Sequence, residues 1–401
     1  MKPKIRFKGF DGEWETSKLG DFSSSFSGGT PPGGISDYYG GDIPIIRSGE
    51  IHEKKTALFI TLAGLKNSSA KIIDKGTLLY ALYGATSGEV AISQLKGAIN
   101  QAILAIFPNK MVDKRFLAHF LQSHKEKIVG ELLQGGQGNL SGALVKGITV
   151  MCPKLSEQNA IADYIDSVDA QISASASRIA SLKQIKAGSL QAMFPQEGET
   201  VPKVRFKGFK GEWKKVKLEE IAVFSKGQGY SKSDLKEEGY PIVLYGRMYT
   251  KYQFSINEVD TFVNPKDFSI ISEGNEVIMP ASGETPEDIA RASAVIVKNI
   301  ILGGDLNIMR FDLTNYSTPF IALTITYGKT HYDLSRCAQG KSVVHLHNGE
   351  ISKATIMLPS LEEQQVITSY FTSLDRQISL HSQRLEKLKQ IKAACLDKMF
   401  V

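Results

Sequence analysis

The chain has 401 residues, 42% hydrophobic and 22% charged, and its 48 Lys and Arg against 42 Asp and Glu leave a net charge of +6. That is material for two or three domains with proper cores, and a positive balance that permits a polyanionic partner without the excess of proteins that coat nucleic acid indiscriminately. The three cysteines, Cys152, Cys337 and Cys395, are widely spaced and exclude a disulfide framework or a Cys-x-x-Cys motif. With no run of about eighteen apolar residues and no signal-peptide core at the start, a cytoplasmic location is expected.

The chain opens with Lys4-Ile5-Arg6-Phe7-Lys8-Gly9-Phe10-Asp11-Gly12-Glu13-Trp14, which returns 199 residues later as Lys203-Val204-Arg205-Phe206-Lys207-Gly208-Phe209-Lys210-Gly211-Glu212-Trp213. After the first copy, β-branched and aromatic runs predict strands at Ile43-Pro44-Ile45-Ile46, Thr77-Leu78-Leu79-Tyr80 and around Ile103 to Ile106, separated by Gly-rich turns. A helix is expected from Lys114 to Leu133. A long helix follows Pro153, because Ile161, Ile165, Val168, Ile172, Ile179 and Leu182 recur at alternating spacings of four and three, a heptad seam that ends near Met193-Phe194.

After the second copy of the opening motif, strands are expected at Pro241-Ile242-Val243-Leu244-Tyr245, Glu276-Val277-Ile278-Met279 and Ala294-Val295-Ile296-Val297, and a helix from Ser317 to Thr326. A second long helix follows Pro359, with a seam of Ile367, Phe371, Leu374, Ile378, Leu385 and Leu388 ending near Met399-Phe400. Ser156-x-x-Asn159 and Ser360-x-x-Glu363 stand in capping position. Some 38 residues at about 1.5 Å each make a rod of roughly 57 Å. The helix segments match one another at an offset of 206, whereas the modules before them differ.

These patterns predict an α/β protein of two mixed, mostly antiparallel modules joined by a long antiparallel coiled-coil helix pair, a pseudo-twofold internal repeat. The expected segments are residues 1–154, 155–196, 197–358 and 359–401. Ser175 and His381 interrupt the two seams near their middles, and a hydrogen bond between them is expected to fix the register. The cyclic order of the repeat places the segment from Lys4 to Trp14 beside the end of the second long helix. Net charge by segment is +6 for residues 1–154, −3 for 155–200, +2 for 201–358 and +1 for 359–401, so the basic excess lies in the modules. That distribution fits modules that touch phosphate and rods that touch protein, and a solvated basic face fits it nearly as well.

Enzymatic signatures fail. Gly328-Lys329-Thr330 and Gly340-Lys341-Ser342 lack the glycine a phosphate loop needs five residues upstream, and Gly84-Ala85-Thr86-Ser87-Gly88 lacks dinucleotide spacing. No Gly-x-Ser-x-Gly elbow or His-Glu-x-x-His occurs. His345-Leu346-His347 with Cys337 is set aside as a metal site on the expectation that the two rings face apart.

Pro153-Lys154-Leu155-Ser156-Glu157-Gln158 and Pro359-Ser360-Leu361-Glu362-Glu363-Gln364, each leading a heptad helix, resemble the specificity subunit of type I restriction-modification enzymes. So do Ser27-Gly28-Gly29-Thr30-Pro31, Tyr38-Tyr39-Gly40-Gly41-Asp42-Ile43-Pro44 and Asn100-Gln101-Ala102-Ile103. The resemblance spans essentially the whole chain. It implies a non-catalytic DNA reader whose two target recognition domains read the unlike halves of a bipartite asymmetric site across a non-specific spacer, with half-site centres about 10 bp apart. It also implies docking of two methyltransferase subunits and two restriction subunits. S-adenosylmethionine, ATP and magnesium would then belong to those partners, with no cofactor or metal in this chain.

The expected DNA contacts are polar and aromatic residues of the Gly-rich loops: Ser27, Thr30, Arg47, Tyr83, Thr86, Gln137 and Asn139 in the first module, and Lys226, Gln228, Tyr230, Arg247, Ser282, Lys341 and His345 in the second. Arg suits guanine O6 and N7, while Gln and Asn suit adenine. The bland reading of each is a turn residue that serves its own backbone. On the first reading Arg247→Ala relaxes recognition of the second half-site alone. Two rival functions stay open, a coiled-coil scaffold or adaptor without DNA specificity and a stand-alone nuclease.

Overall fold

The computed structural model describes residues 2–132, 139–340 and 343–401. Packing divides the chain into two compact units, Met1–Ala176 with Gln383–Val401, and Ser177–Ser382. The long helices, Leu155–Ala192 and Leu361–Lys398, are therefore each shared between units, one part of each seam falling in each unit.

In the first unit two four-stranded sheets carry the module. One orders Ser23–Ser27, Ile103–Pro108, Leu78–Ala81 and Val90–Ile92; the other orders Phe59–Ile60, Tyr39–Ile46, Gly97–Ile99 and Lys71–Ile73. All pairings are antiparallel except Tyr39–Ile46 with Gly97–Ile99. The expected helix from Lys114 to Leu133 is broken, running Lys114–Ser123 and then Lys125–Leu132. His124 stands at the break: its ring stacks on Phe120 and its Nδ1 lies 3.0 Å from the Phe120 carbonyl and 2.9 Å from the Ser123 hydroxyl, while its own N–H keeps a 3.2 Å bond to that carbonyl. Phe116, Leu117 and Phe120 bury themselves with Tyr80, Leu104, Trp14, Ile161 and Ile165, and Met399 and Phe400 complete this core.

The second unit repeats the plan with different residues. A five-stranded sheet orders Ala222–Lys226, Leu306–Phe311, Glu276–Pro280, Ser293–Val295 and Ser255–Ile256, and a three-stranded one orders Phe262–Val263, Tyr240–Val243 and Ile301–Leu302. Helix Thr318–Tyr327 presents Phe320 to Trp213 and Phe194, with Met193, Ile367 and Phe371 in the same core.

Internal contacts account for most of the repeated letters. Arg6 makes a bidentate pair with Glu157, both bonds 2.7 Å, and donates to the carbonyls of Gly12 and Asp11. Arg205 does the same with Glu363 at 2.6 and 2.7 Å, and with Gly211 and Lys210. The next residue of each motif, Gln158 or Gln364, accepts the backbone N–H of Asp113 or Ser317, the residue that starts the module helix, at 2.9 and 3.0 Å. One glutamate thus holds the opening segment and the neighbouring glutamine holds the module. Gly9 and Gly208, at φ +97° and +107°, and Gly12 and Gly211, at +80° and +83°, turn the chain around the arginine in a conformation that side chains disfavour. Phe7 and Phe206 meet Tyr164 and Tyr370 edge-on.

The capping expectation holds for the Ser360 hydroxyl and fails for Ser156 and for a reciprocal bond from Glu363. Ser156 lies inside its helix, and although the Ser360 hydroxyl accepts the Glu363 N–H at 3.3 Å, the Glu363 carboxylate goes to Arg205. A charge-assisted bidentate pair outweighs a bond to one exposed N–H.

In each unit the start of one long helix packs beside the end of the other, the antiparallel sense. Asp169 pairs with Lys392 at 2.7 Å in the first unit, and the equivalent residues, Asp375 and Lys186, pair at 2.6 Å in the second. Among the seam residues Ile161, Ile165, Val168, Leu182, Ile367, Phe371, Leu374 and Leu388 are buried, and Ile172, Ile179, Ile378 and Leu385 are half-buried. Ser175 is buried and His381 half-buried, but among the described residues neither side chain makes a hydrogen bond; the two Asp–Lys pairs hold the register instead. The Ile5 N–H donates to the Lys398 carbonyl at 2.8 Å and Val204 to Ala192 at 2.9 Å, which places each opening motif at a helix end as the cyclic order requires.

Glu157 and Glu363 are only 3% and 1% exposed. Removing the partner of such a buried charge costs about 3–5 kcal/mol. Arg205→Ala is therefore expected to destabilise the second unit by about that amount in chemical denaturation, and Arg6→Ala to destabilise the first, whereas alanine at the exposed Lys207 is expected to change stability by less than about 0.5 kcal/mol.

Candidate nucleic-acid interface

Strand ends and the turns that follow them form one rim in each module, tied together by backbone hydrogen bonds. In the first module Gly29 donates to Ile99 (3.2 Å), Asn100 to Ile46 (3.2 Å), Leu82 to Ala102 (2.8 Å) and Leu140 to Leu82 (2.8 Å). In the second, Gln228 donates to Leu302 (3.3 Å), Gly303 to Val243 (2.9 Å), Ala281 to Asp305 (2.8 Å) and Leu346 to Ala281 (3.1 Å). The two sets correspond bond for bond. Gly28 and Gly227 occupy matching places at which an added Cβ would lie 1.8 Å from a backbone oxygen, of Ile99 in one and Gly303 in the other, so only glycine fits.

The rims gather most of the expected residues. Thr30, Arg47, Tyr83 and Asn139 each lie beside a residue of the first network, Ser27 ends the strand two residues before Gly29, and Thr86 sits in the turn that begins at Leu82. Thr30, Arg47 and Asn139 are exposed. In the second module Lys226, Gln228 and His345 are exposed, Tyr230 and Ser282 are half-buried, and the Ser282 hydroxyl lies 3.2 Å from His345 Nδ1. Gln137 and Lys341 lie outside the described residues.

Gln101 and Asp305 were not among the expected contacts. Both are exposed on the rims; Thr30 donates to the Gln101 amide oxygen at 2.8 Å, which leaves the amide nitrogen as a donor, and Asp305 holds φ +58°. Gly303-Gly304-Asp305 is a turn signal that could have located the second.

Arg247 is a correction. It opens the short helix Arg247–Thr250, is 8% exposed, and donates to Asp260 at 2.5 Å, Gln253 at 3.0 Å and the Glu258 carbonyl at 3.3 Å. With its guanidinium committed inside the module, it is not available to a base. His345 and His347 are another: positions two apart on an extended chain share a face, and the rings stack with centroids 6.2 Å apart while Leu346 is buried. Among the described residues no three of His, Cys, Asp and Glu gather as metal ligands would. Burial pushes the Cys152 thiol up to about 11, so it is protonated at neutral pH. No helix is long and apolar enough to cross a membrane.

Arg47 is exposed and bidentate to Glu50, with bonds of 3.0 and 2.9 Å. That pair, with the Ala57 N–H and Thr56 hydroxyl, holds the Glu50 carboxyl down at about 2. The arginine fork is thus presented already ordered, as a base-reading side chain should be.

Two modules of one fold, with unlike rims on a duplicated helical frame, define a two-headed recognition protein. A family model described as the type I restriction modification DNA specificity domain matches the chain twice, over residues 11–184 and 210–390. The MjaVIII and MjaIX type I restriction enzyme specificity subunits of Methanocaldococcus jannaschii are 20% and 23% identical over 398 and 417 aligned residues. The alignments span 96% of this chain in both cases and 91% and 92% of those subunits. The crystal structure of the type I S subunit from M. genitalium shares the fold at a TM-score of 0.64 and 16% identity, covering 100% of this chain and 99% of that one. This chain belongs to the type I restriction-modification DNA specificity family; it is a recognition subunit, not an enzyme.

Arg247→Ala is expected to lower the thermal midpoint of the protein and leave sequence preference at the second half-site intact, read by thermal unfolding and by target mapping. Because the folded Glu50 carboxyl lies below its unfolded value near 4.3, its contribution to stability is complete above that pH and is lost as pH falls toward 2. Glu50→Gln should remove that part of the acid dependence in denaturation curves between pH 5 and pH 2.

Proposed function

We propose that the chain reads a bipartite, asymmetric duplex DNA target, one half with each rim, within a cytoplasmic methyltransferase and restriction complex. The observation that carries this is the correspondence of the rims: equivalent backbone places bear Tyr83 and Ser282, Arg47 and Leu244, Gln101 and Gly304, Asn139 and His345. A common scaffold with unlike donors and acceptors is what reading two unlike half-sites requires. A scaffold protein would have no need of two diverged polar rims on conserved backbones. Of the expected contacts, all but Arg247 and the two undescribed residues are retained as candidate readers, with Gln101 and Asp305 added.

The frame supports one kind of partner bound twice. Lys8 and Lys207 are exposed, and Phe10 and Phe209 are half-buried outside the core clusters, so these side chains recur without a structural task that explains them. A methyltransferase subunit that meets the same surface in each unit would account for the recurrence, and restriction subunits would join through it; S-adenosylmethionine, ATP and magnesium would enter with those partners.

Methylome sequencing of cells that express the chain with its methyltransferase partner tests the reading. Exchange of residues 15–150 for those of a relative is expected to change one half of the methylated motif and spare the other; a change in both halves, or methylation without a motif, would contradict it. In native mass spectrometry Phe10→Asp or Phe209→Asp is expected to reduce two bound methyltransferase subunits to one, and the double variant to none.

A further inference from the structure

At 85% exposure, Phe268 stands further into solvent than any other large apolar side chain among the described residues. It does so at φ +66°, a left-handed conformation that a phenylalanine adopts only when its surroundings impose it. The surroundings here are a set of hydrogen bonds around one hydroxyl. Tyr230 Oη accepts the Lys266 N–H at 2.5 Å and lies 2.5 Å from the Ser269 hydroxyl, which also donates to the Lys266 carbonyl at 2.6 Å. The Lys266 ammonium sits 4.7 Å from the centre of the Tyr230 ring and pairs with Asp234 at 2.6 Å. Both residues that flank the Asp267-Phe268 tip are thereby fastened to Tyr230, itself strained at φ +58°.

Tyr230 belongs to the rim of the second module. Gly304 donates to the Gly229 carbonyl at 2.7 Å and Gln228 to that of Leu302, so the phenyl is mounted beside the loop that carries Gln228. The tip has little to offer a phosphate, since Lys266 is committed to Asp234 and Asp267 is negative and exposed. What it offers is a flat apolar face. In the first module the corresponding loop, Lys66-Asn67-Ser68-Ser69, lies against Gly29 and carries no aromatic residue.

We propose that Phe268 is a stacking wedge that packs on a base of the second half-site and opens the base step it meets. The proposal rests on the DNA-reading function above. It explains why backbone strain at two residues is tolerated to hold an apolar ring in water, and it assigns a specificity-determining contact to one module only. Such wedges part adjacent bases, and a stacked base is worth roughly ten-fold or more in affinity.

The test uses the full chain assembled with its methyltransferase subunits and duplexes that carry the motif mapped by methylome sequencing, with 2-aminopurine placed in turn at each second-half position. Wild type and Phe268→Trp are expected to change the fluorescence at one second-half position. Phe268→Ala is expected to lose that change and bind roughly ten-fold more weakly. Phe268→Gly relieves the backbone strain, so it should hold or raise the thermal midpoint while it loses the same affinity. Specific binding by wild type with unchanged affinity and fluorescence in Phe268→Ala would overturn the wedge and leave the reading function standing, as would loss of methyltransferase subunits in that variant. A wild-type complex with no preference for any motif would overturn both.

Discussion

The pairing of Arg6 with Glu157, made again by Arg205 and Glu363, is the constraint on which the rest of the molecule depends. Each glutamate sits in the first turn of a long helix and is almost wholly withdrawn from water, so its charge is tolerable only while the arginine stays. The arginine in turn organises its own Gly-containing turn through two carbonyls. Beside it, Gln158 or Gln364 fixes the start of the module helix. Helix, opening segment and module are thus referred to one pair of adjacent side chains, which is why Glu-Gln recurs while the modules between the copies drift apart.

That arrangement separates what must stay from what is free to change. The backbone of the rims is held by strand-end hydrogen bonds and by glycines that admit no side chain, at Gly28 and Gly227. Apart from Tyr230, bound to Lys266 and Ser269, the side chains that project from it answer to no internal contact of comparable weight. Arg47 is a further exception: its partner Glu50 lies three residues along and is held in turn by Thr56 and Ala57, so the pair is confined to the stretch from Arg47 to Ala57.

Much of this was legible in the sequence. The duplicated segments, the two long heptad helices and the strands at Ile45, Leu79, Ile242 and Ile278 follow from repetition and local periodicity, which a linear reading captures. What escaped depends on partners distant in space. Nothing local says that Glu363 prefers Arg205 to a helix N-terminus, that His124 turns back on Phe120, or that Asp169 and Lys392 hold the helix register in place of Ser175 and His381. Arg247 has the composition of a reader, and only the fold brings Asp260 and Gln253 to its guanidinium. The rim loops were found because turns advertise themselves through glycine; Gln101 was passed over because its turn, Asn100-Gln101-Ala102 between two strands, holds none.

The first core closes on Met399 and Phe400, against Phe116 and Phe120. A ribosome delivers those two residues long after it has released the rest of that core, whereas every residue of the second unit, up to Ser382, is already out. Of the two modules, the one made first is therefore the one completed last, and during translation its Trp14 and Phe116 wait for a lid supplied by the far end of the second long helix.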